Sequence, residues 1–143
     1  MSNKQLKIIR GISGSGKTTY VNENYPEAFV CSADDYFEEV ADLNDTSYAE
    51  EFKPWLVGKA HQHCWGSFIH AVVVMDEPLV VVDNTNTNKC ECDNYGFLAE
   101  LMGYEVEIVE IPFEADKAEL YHERNTHGVP LEVIQRMIEH YES

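Results

Sequence analysis

The stretch GISGSGKTT, residues 11–19, follows directly on the apolar run of Leu6, Ile8 and Ile9. Gly11, Gly14 and Gly16 let the chain turn its backbone N–H groups inward around an anion, which a Cβ at those places would hinder. A helix starting near Gly16 adds the partial positive charge of its N-terminus at the same point. Lys17 can reach the terminal phosphates of a nucleoside triphosphate, and the Thr18 hydroxyl can take one position on Mg2+. The loop formed by Gly11, Ser13, Gly14, Ser15, Gly16, Lys17, Thr18 and Thr19 is therefore expected to bind ATP or GTP with Mg2+. The alternative is a glycine-rich turn with no ligand.

Such a loop needs a strand before it and a helix after it, and the rest of the chain supplies the matching alternation. Strands are expected near 5–10, 27–31, 79–83 and 104–111. Helices are expected near 17–24, 55–74, 88–102, 114–124 and 130–141, the last opening at Pro130, a residue suited to a first helical turn. The pattern predicts an α/β fold: a mainly parallel sheet covered by helices on both faces, in three α/β/α layers. The segment EEVADLNDTSYAEEFK, residues 38–53, has no clean period and reads as a mobile acidic insert beside the site.

Length and composition limit the surroundings. A chain of 143 residues with 44% hydrophobic content suits one domain, 1–143, with a real core. Its N-terminus lacks the apolar segment of a signal peptide and no run reaches eighteen apolar residues, so a cytoplasmic protein with no membrane contact is expected. In that compartment Cys31, Cys64, Cys90 and Cys92 read as thiols.

In open parallel sheets ligands sit beyond the carboxyl ends of the strands, and three such ends are polar here. The first feeds the glycine loop. The second carries Asp34 and Asp35, and the third Asp83, Asn84, Thr85 and Asn86. A hydroxyl acceptor needs a base to orient it and take its proton, and Asp34 suits that role, with Asp35 beside it on the substrate. Both carboxylates are also suited to capping the helical turn that follows. Asp83 closes an apolar strand as a carboxylate that holds Mg2+ does, while Asn84 and Asn86 are placed to contact substrate or to build a polar turn.

Charge bears on the acceptor. Ten Lys and Arg against twenty-six Asp and Glu give a formal net charge of −16, the reverse of a nucleic-acid-binding footprint. A long polynucleotide is expected to be held weakly, whereas a short end, a nucleoside or an uncharged acceptor is not disfavoured in this way.

Taken together, GISGSGKTT, SADDYF, VVVDNTN, GYEVEIVEI and ERNTHGVPLEVIQRM, in this order and spacing, resemble the P-loop kinase domain of phage-type 5'-hydroxyl polynucleotide kinases and the small ATP-binding kinases related to them. The resemblance runs through nearly the whole chain. It implies an adenylate-kinase-like P-loop fold with a C-terminal helical lid at about 114–130, Lys17 and the loop as phosphate cradle, Thr18 as metal ligand, Asp34 as general base and Arg124 as a lid arginine that also binds the nucleotide. A guanidinium closing on the transferring phosphoryl group neutralises charge spread over its oxygens. Two departures lie on the acceptor side: an arginine of the phage enzymes falls at Phe37 here, and a carboxylate falls at Asn84. A second lid arginine falls near His127.

The expected activity is transfer of the γ-phosphate of ATP to a hydroxyl, that of a nucleic acid 5'-OH end or, alternatively, of a small hydroxylated substrate such as a nucleoside. A non-kinase ATP-binding switch is the third reading. His61, His63 and Cys64, with Cys90 and Cys92, are poorly spaced for structural zinc. Trp55, Trp65 and Phe68 read as core.

Overall fold

The computed structural model describes residues 4–12, 14–84, 89–124 and 129–141. Strand β1 (Gln5–Arg10) runs into the glycine loop and helix α1 (Lys17–Asn24). Strand β2 (Phe29–Cys31) leads to α2 (Asp34–Asn44) and the short α3 (Tyr48–Glu51). Helix α4 (Val57–Ile69) follows a 3-10 turn at Pro54–Leu56 and widens into a π turn at His70–Val74. Strand β3 (Leu79–Asp83), helix α5 (Lys89–Leu101) and strand β4 (Glu105–Glu110) complete the sheet. Helices α6 (Ala118–Arg124), preceded by a 3-10 turn at Ala115–Lys117, and α7 (Leu131–Glu139) close the chain.

The four strands are parallel in the order β2-β3-β1-β4. Ile8 pairs with Val82 on one side and Ile108 on the other, so β1 is central and delivers the glycine loop to the middle of the sheet's carboxyl edge. Strand β3 is the continuous apolar run expected of a strand covered on both faces, with Val80, Val81 and Val82 fully buried.

Period-two alternation divides the side chains between two faces. Leu6, Ile8, Val80 and Val82 pack with Cys64, Phe68, Ala71 and Val72 of the α4 stretch and with Cys92, Tyr95 and Ala99 of α5. Ile9 and Val81 face the other way, onto Val21 of α1. Burial of a side chain such as Phe68 stabilises by about 1.5–3 kcal/mol. A third cluster, Ile12, Phe37, Tyr48, Ala60, Tyr121, Val129 and Ile134, joins α2, α3, α4, α6 and α7 beyond the strand ends. The fold is the three-layer α/β/α P-loop fold expected from the alternation of elements, and among the described residues no helix is long and apolar enough to cross a membrane.

Two expectations are corrected. Residues 38–53 are not an irregular insert: they hold the body of α2 and all of α3, and they send Ala41 and Tyr48 into buried positions. Ser47 caps helix α3: its Oγ accepts from the Glu50 backbone N–H at 3.2 Å and donates to Glu50 Oε1 at 3.2 Å. Trp55 is not core, since it stands 77% exposed in the 3-10 turn, while Trp65 and Phe68 pack inward against Tyr95.

Candidate active site

The glycine loop bends where Gly14 and Gly16 take φ +83° and +96°, left-handed values that a side chain disfavours. At Gly14 the constraint is doubled, because a Cβ there would run into the Tyr121 carbonyl of α6. The loop closes on itself through Ser15, whose N–H and Oγ both donate to the Ile12 carbonyl, at 3.0 and 2.6 Å. Helix α1 begins with Gly16 accepting from the Tyr20 N–H at 2.9 Å. Thr18 and Thr19 lie exposed in its first turn. Gly11 is buried, with room for a Cβ restricted by Ile111 at 3.2 Å. Ser13 lies outside the described residues.

Lys17 is buried, and its Nζ stands 2.9 Å from Asp83 Oδ1 at the end of the neighbouring strand. That oxygen is shut off from solvent and has no directional hydrogen bond. The loop and the end of β3 are thus brought together as expected, with a cation and a carboxylate side by side. The glycine-built cradle and the lysine suit a polyphosphate anion, and a threonine hydroxyl with a buried carboxylate oxygen supplies hard oxygen ligands of the kind Mg2+ takes, so the residues present fit a triphosphate with Mg2+.

Asp34 and Asp35 open α2. Ser32 Oγ accepts from the Asp34 N–H at 3.2 Å, and both carboxylates sit in the first turn, where the helix dipole favours negative charge. They then diverge. Asp34 lines a cavity of about 170 Å3 together with Lys17, Asn84 and His61, walled by Phe37, Phe52, Val133 and Met137 among others. Asp35 is not among the lining residues. Burial, and after it the charges of Asp34 and Glu39, hold its carboxyl above the ordinary range, opposed by the neighbouring His63.

Tyr48, which the sequence reading passed over, donates its hydroxyl to Asp34 Oδ1 at 2.7 Å. Burial and then the Asp34 charge push that phenol far up, so it stays a donor. The available signal was the Ser47-x-x-Glu50 helix-cap spacing with aromatic residues four apart at Tyr48 and Phe52.

Asn84 touches the cavity but its amide is committed to the protein: Oδ1 accepts from the Ala33 N–H at 2.7 Å and Nδ2 meets Cys64 Sγ at 3.4 Å. It ties the end of β3 to the turn that carries Asp34. Asn86, Thr85 and His127 lie outside the described residues.

Arg124 ends α6, exposed, one helical turn beyond Tyr121, whose carbonyl abuts Gly14. Helix α6 is therefore in contact with the glycine loop. Cys31, Cys64 and Cys92 are buried cysteines outside any disulfide, and burial raises the Cys31 and Cys64 thiols. His63 Nε2 lies 3.0 Å from Glu39 Oε2. The Cys90 side chain lies outside the described ones.

Residues 6–143 match the family described as AAA domain. NEDD4-binding protein 2 of Homo sapiens is 31% identical to the chain over 141 residues, which is 96% of this chain and 8% of that protein. The chain thus spans less than a tenth of the length of that relative. Among solved structures, the gluconokinase from Sinorhizobium meliloti 1021 superposes with a TM-score of 0.57 at 16% identity, over 100% of this chain and 78% of its own. At that identity the likeness is one of fold.

Proposed function

Since the chain belongs to the AAA domain family, we propose that it is an ATP-dependent phosphotransferase whose acceptor is a 5'-hydroxyl at a nucleic acid end. The observation that carries the reading is one cavity in which the lysine of the phosphate loop and the Asp34 carboxylate are both exposed to a common space. A base for the acceptor and a cation for the donor are what phosphoryl transfer asks of a protein.

Asp34 takes the acceptor's proton while the acceptor oxygen bonds to the γ-phosphorus. The bond from phosphorus to the β–γ bridging oxygen breaks and ADP leaves. Lys17 exchanges its partner Asp83 for the phosphate oxygens, and Arg124, carried by the lid helix, neutralises charge on the transferring group. Thr18 and Asp83 are the residues that would hold Mg2+, which when bound offsets charge on the phosphates.

The apolar wall supports an acceptor that presents a ring and an uncharged hydroxyl. Among the described residues, Lys17 is the only Lys or Arg lining the cavity, which favours a single terminal nucleoside over a track of phosphates. A second reading, a kinase for a small hydroxylated molecule, is favoured by the net charge of −16 and by the fold shared with a gluconokinase. Labelled ATP with Mg2+, offered to 5'-OH oligonucleotides, nucleosides and gluconate in parallel, separates the two. Transfer to oligonucleotide ends is expected. Transfer to a nucleoside or gluconate alone would replace the first reading with the second, and ATP binding without any transfer would leave the domain as a switch.

A further inference from the structure

We propose that Tyr48 is a positioning residue for the base: its hydroxyl holds the Asp34 carboxylate in the orientation from which the acceptor's proton is taken. The inference rests on the reading of Asp34 as the base. A carboxylate in the first turn of a helix can rotate about its side-chain bonds, and a base is effective only when one oxygen is held within reach of the proton. Tyr48 fixes one oxygen, Oδ1, at 2.7 Å.

The tyrosine is itself held. Its ring is 6% exposed, stacks on Phe52 at 5.8 Å and 16°, and meets the edge of Phe37 at 5.4 Å. Phe37 lies one turn along α2 from Asp34, so α2 and α3 lock the donor and the carboxylate into one unit. Asn84 secures the same turn from the other side through the Ala33 N–H. Tyr48 and Asn84 thus fix the side chain and the backbone of the base separately. Among the described residues, the charged and titratable groups around Asp34 include Asp35 and Glu38 on its own helix, Lys17 of α1 with Asp83 of β3 behind it, and His61 and Cys64 of α4. The α7 residues facing the cavity, Val133 and Met137, carry no charge.

Tyr48→Phe removes the hydroxyl and keeps the ring contacts, so the fold is retained. Two readouts are taken: kcat with the KM for ATP, and the effect of the same change in an Asp34→Asn background. The plateau of kcat should fall by about five- to tenfold with the KM for ATP unchanged. Where Asp34 is already Asn there is no base left to hold, and Tyr48→Phe should leave the residual transfer within about twofold. An unchanged kcat in the single variant would overturn the proposal, and so would an equal fall in the Asp34→Asn background. A wild-type protein that binds ATP and phosphorylates no hydroxyl at all would instead overturn the kinase reading, and the base role with it, while the Tyr48–Asp34 contact stood.

Discussion

Lys17 Nζ stands 2.9 Å from Asp83 Oδ1, and each side chain keeps only 9% of its surface. The lysine is therefore part of the folded structure as well as of the phosphate site, although the loop sequence assigns it to phosphate alone. Lys17→Ala should abolish tight binding of ATP with Mg2+. It should also leave Asp83 buried beside no cation, at a cost of about 1–3 kcal/mol, below the range for a fully buried broken pair because the adjoining cavity can admit water. Calorimetry with ATP and urea unfolding check the two parts. Unchanged ATP affinity would remove the basis for the phosphate site, and unchanged stability would show that Asp83 finds another partner.

Asp34 and Asp35 are neighbours with opposite surroundings, and only Asp34 opens on the cavity. Asp34→Asn keeps size and polarity but takes up no proton, so transfer should fall by about a hundredfold or more with ATP affinity retained. Asp35→Asn should leave transfer within a few-fold of wild type. The reverse pattern in single-turnover assays would assign the base to Asp35.

The legible parts of this molecule are those in which local pattern and global fold agree. The Leu6, Ile8, Ile9 run with the glycines behind it, the uninterrupted Val80, Val81, Val82 strand and the carboxylate closing it all name their places, because a parallel sheet buries both faces and puts polar residues at its carboxyl ends. Residues 38–53 give no clean period because their acidic surface hides a sparse apolar set, Ala41, Tyr48 and Phe52, of which Tyr48 and Phe52 pack in the cluster completed by α4 and α7. The Lys17–Asp83 and Tyr48–Asp34 contacts join positions 66 and 14 residues apart, and no local period encodes either pairing. Trp55 shows the converse, an aromatic side chain at the start of a helical stretch that the 3-10 turn points outward.

Gly14 and Gly16 both take positive φ, but only Gly14 lies against another backbone, that of Tyr121. Gly16→Ala should cost about 1–2 kcal/mol, the left-handed strain alone. Gly14→Ala adds a collision with α6 at the Tyr121 carbonyl, so it should lower the thermal midpoint further and weaken ATP binding. Equal midpoints for the two variants would show that the α6 contact is dispensable.

Asp35 has its carboxyl held above its ordinary value, first by burial and then by Asp34. For such a group the favourable contribution is fully present below the unfolded value near 3.8 and is lost as pH rises through the raised folded value. Asp35→Asn should therefore raise the thermal midpoint at neutral pH, modestly, since the residue is exposed enough for solvent to screen its neighbours. The advantage should vanish in acid, where the wild-type carboxyl carries its proton. A variant less stable than wild type at pH 7 would mean that the His63 attraction outweighs burial and repulsion.

The acceptor side joins an apolar pocket to an acidic surface. Among the described residues Lys17 is the only Lys or Arg lining the cavity, and the proposed function commits it to the donor phosphates; the position where the resemblance to the phage enzymes would put an arginine is Phe37, buried against Tyr48. A polynucleotide is held along its length by cations that displace counterions from its phosphates, and the net charge of −16 opposes that grip. Contacts should then be confined to the terminal nucleotide or two. Lengthening a 5'-OH oligonucleotide beyond a few residues should leave its KM unchanged, and the logarithm of affinity should fall with the logarithm of salt at about −0.7 per phosphate contacted, a slope near −1 in all. Steady-state kinetics over a series of lengths and salt concentrations measures both. A steep slope together with affinity that climbs with length would reveal a cationic track outside the cavity, and the terminal-nucleoside reading would give way to one in which the strand is bound along its backbone.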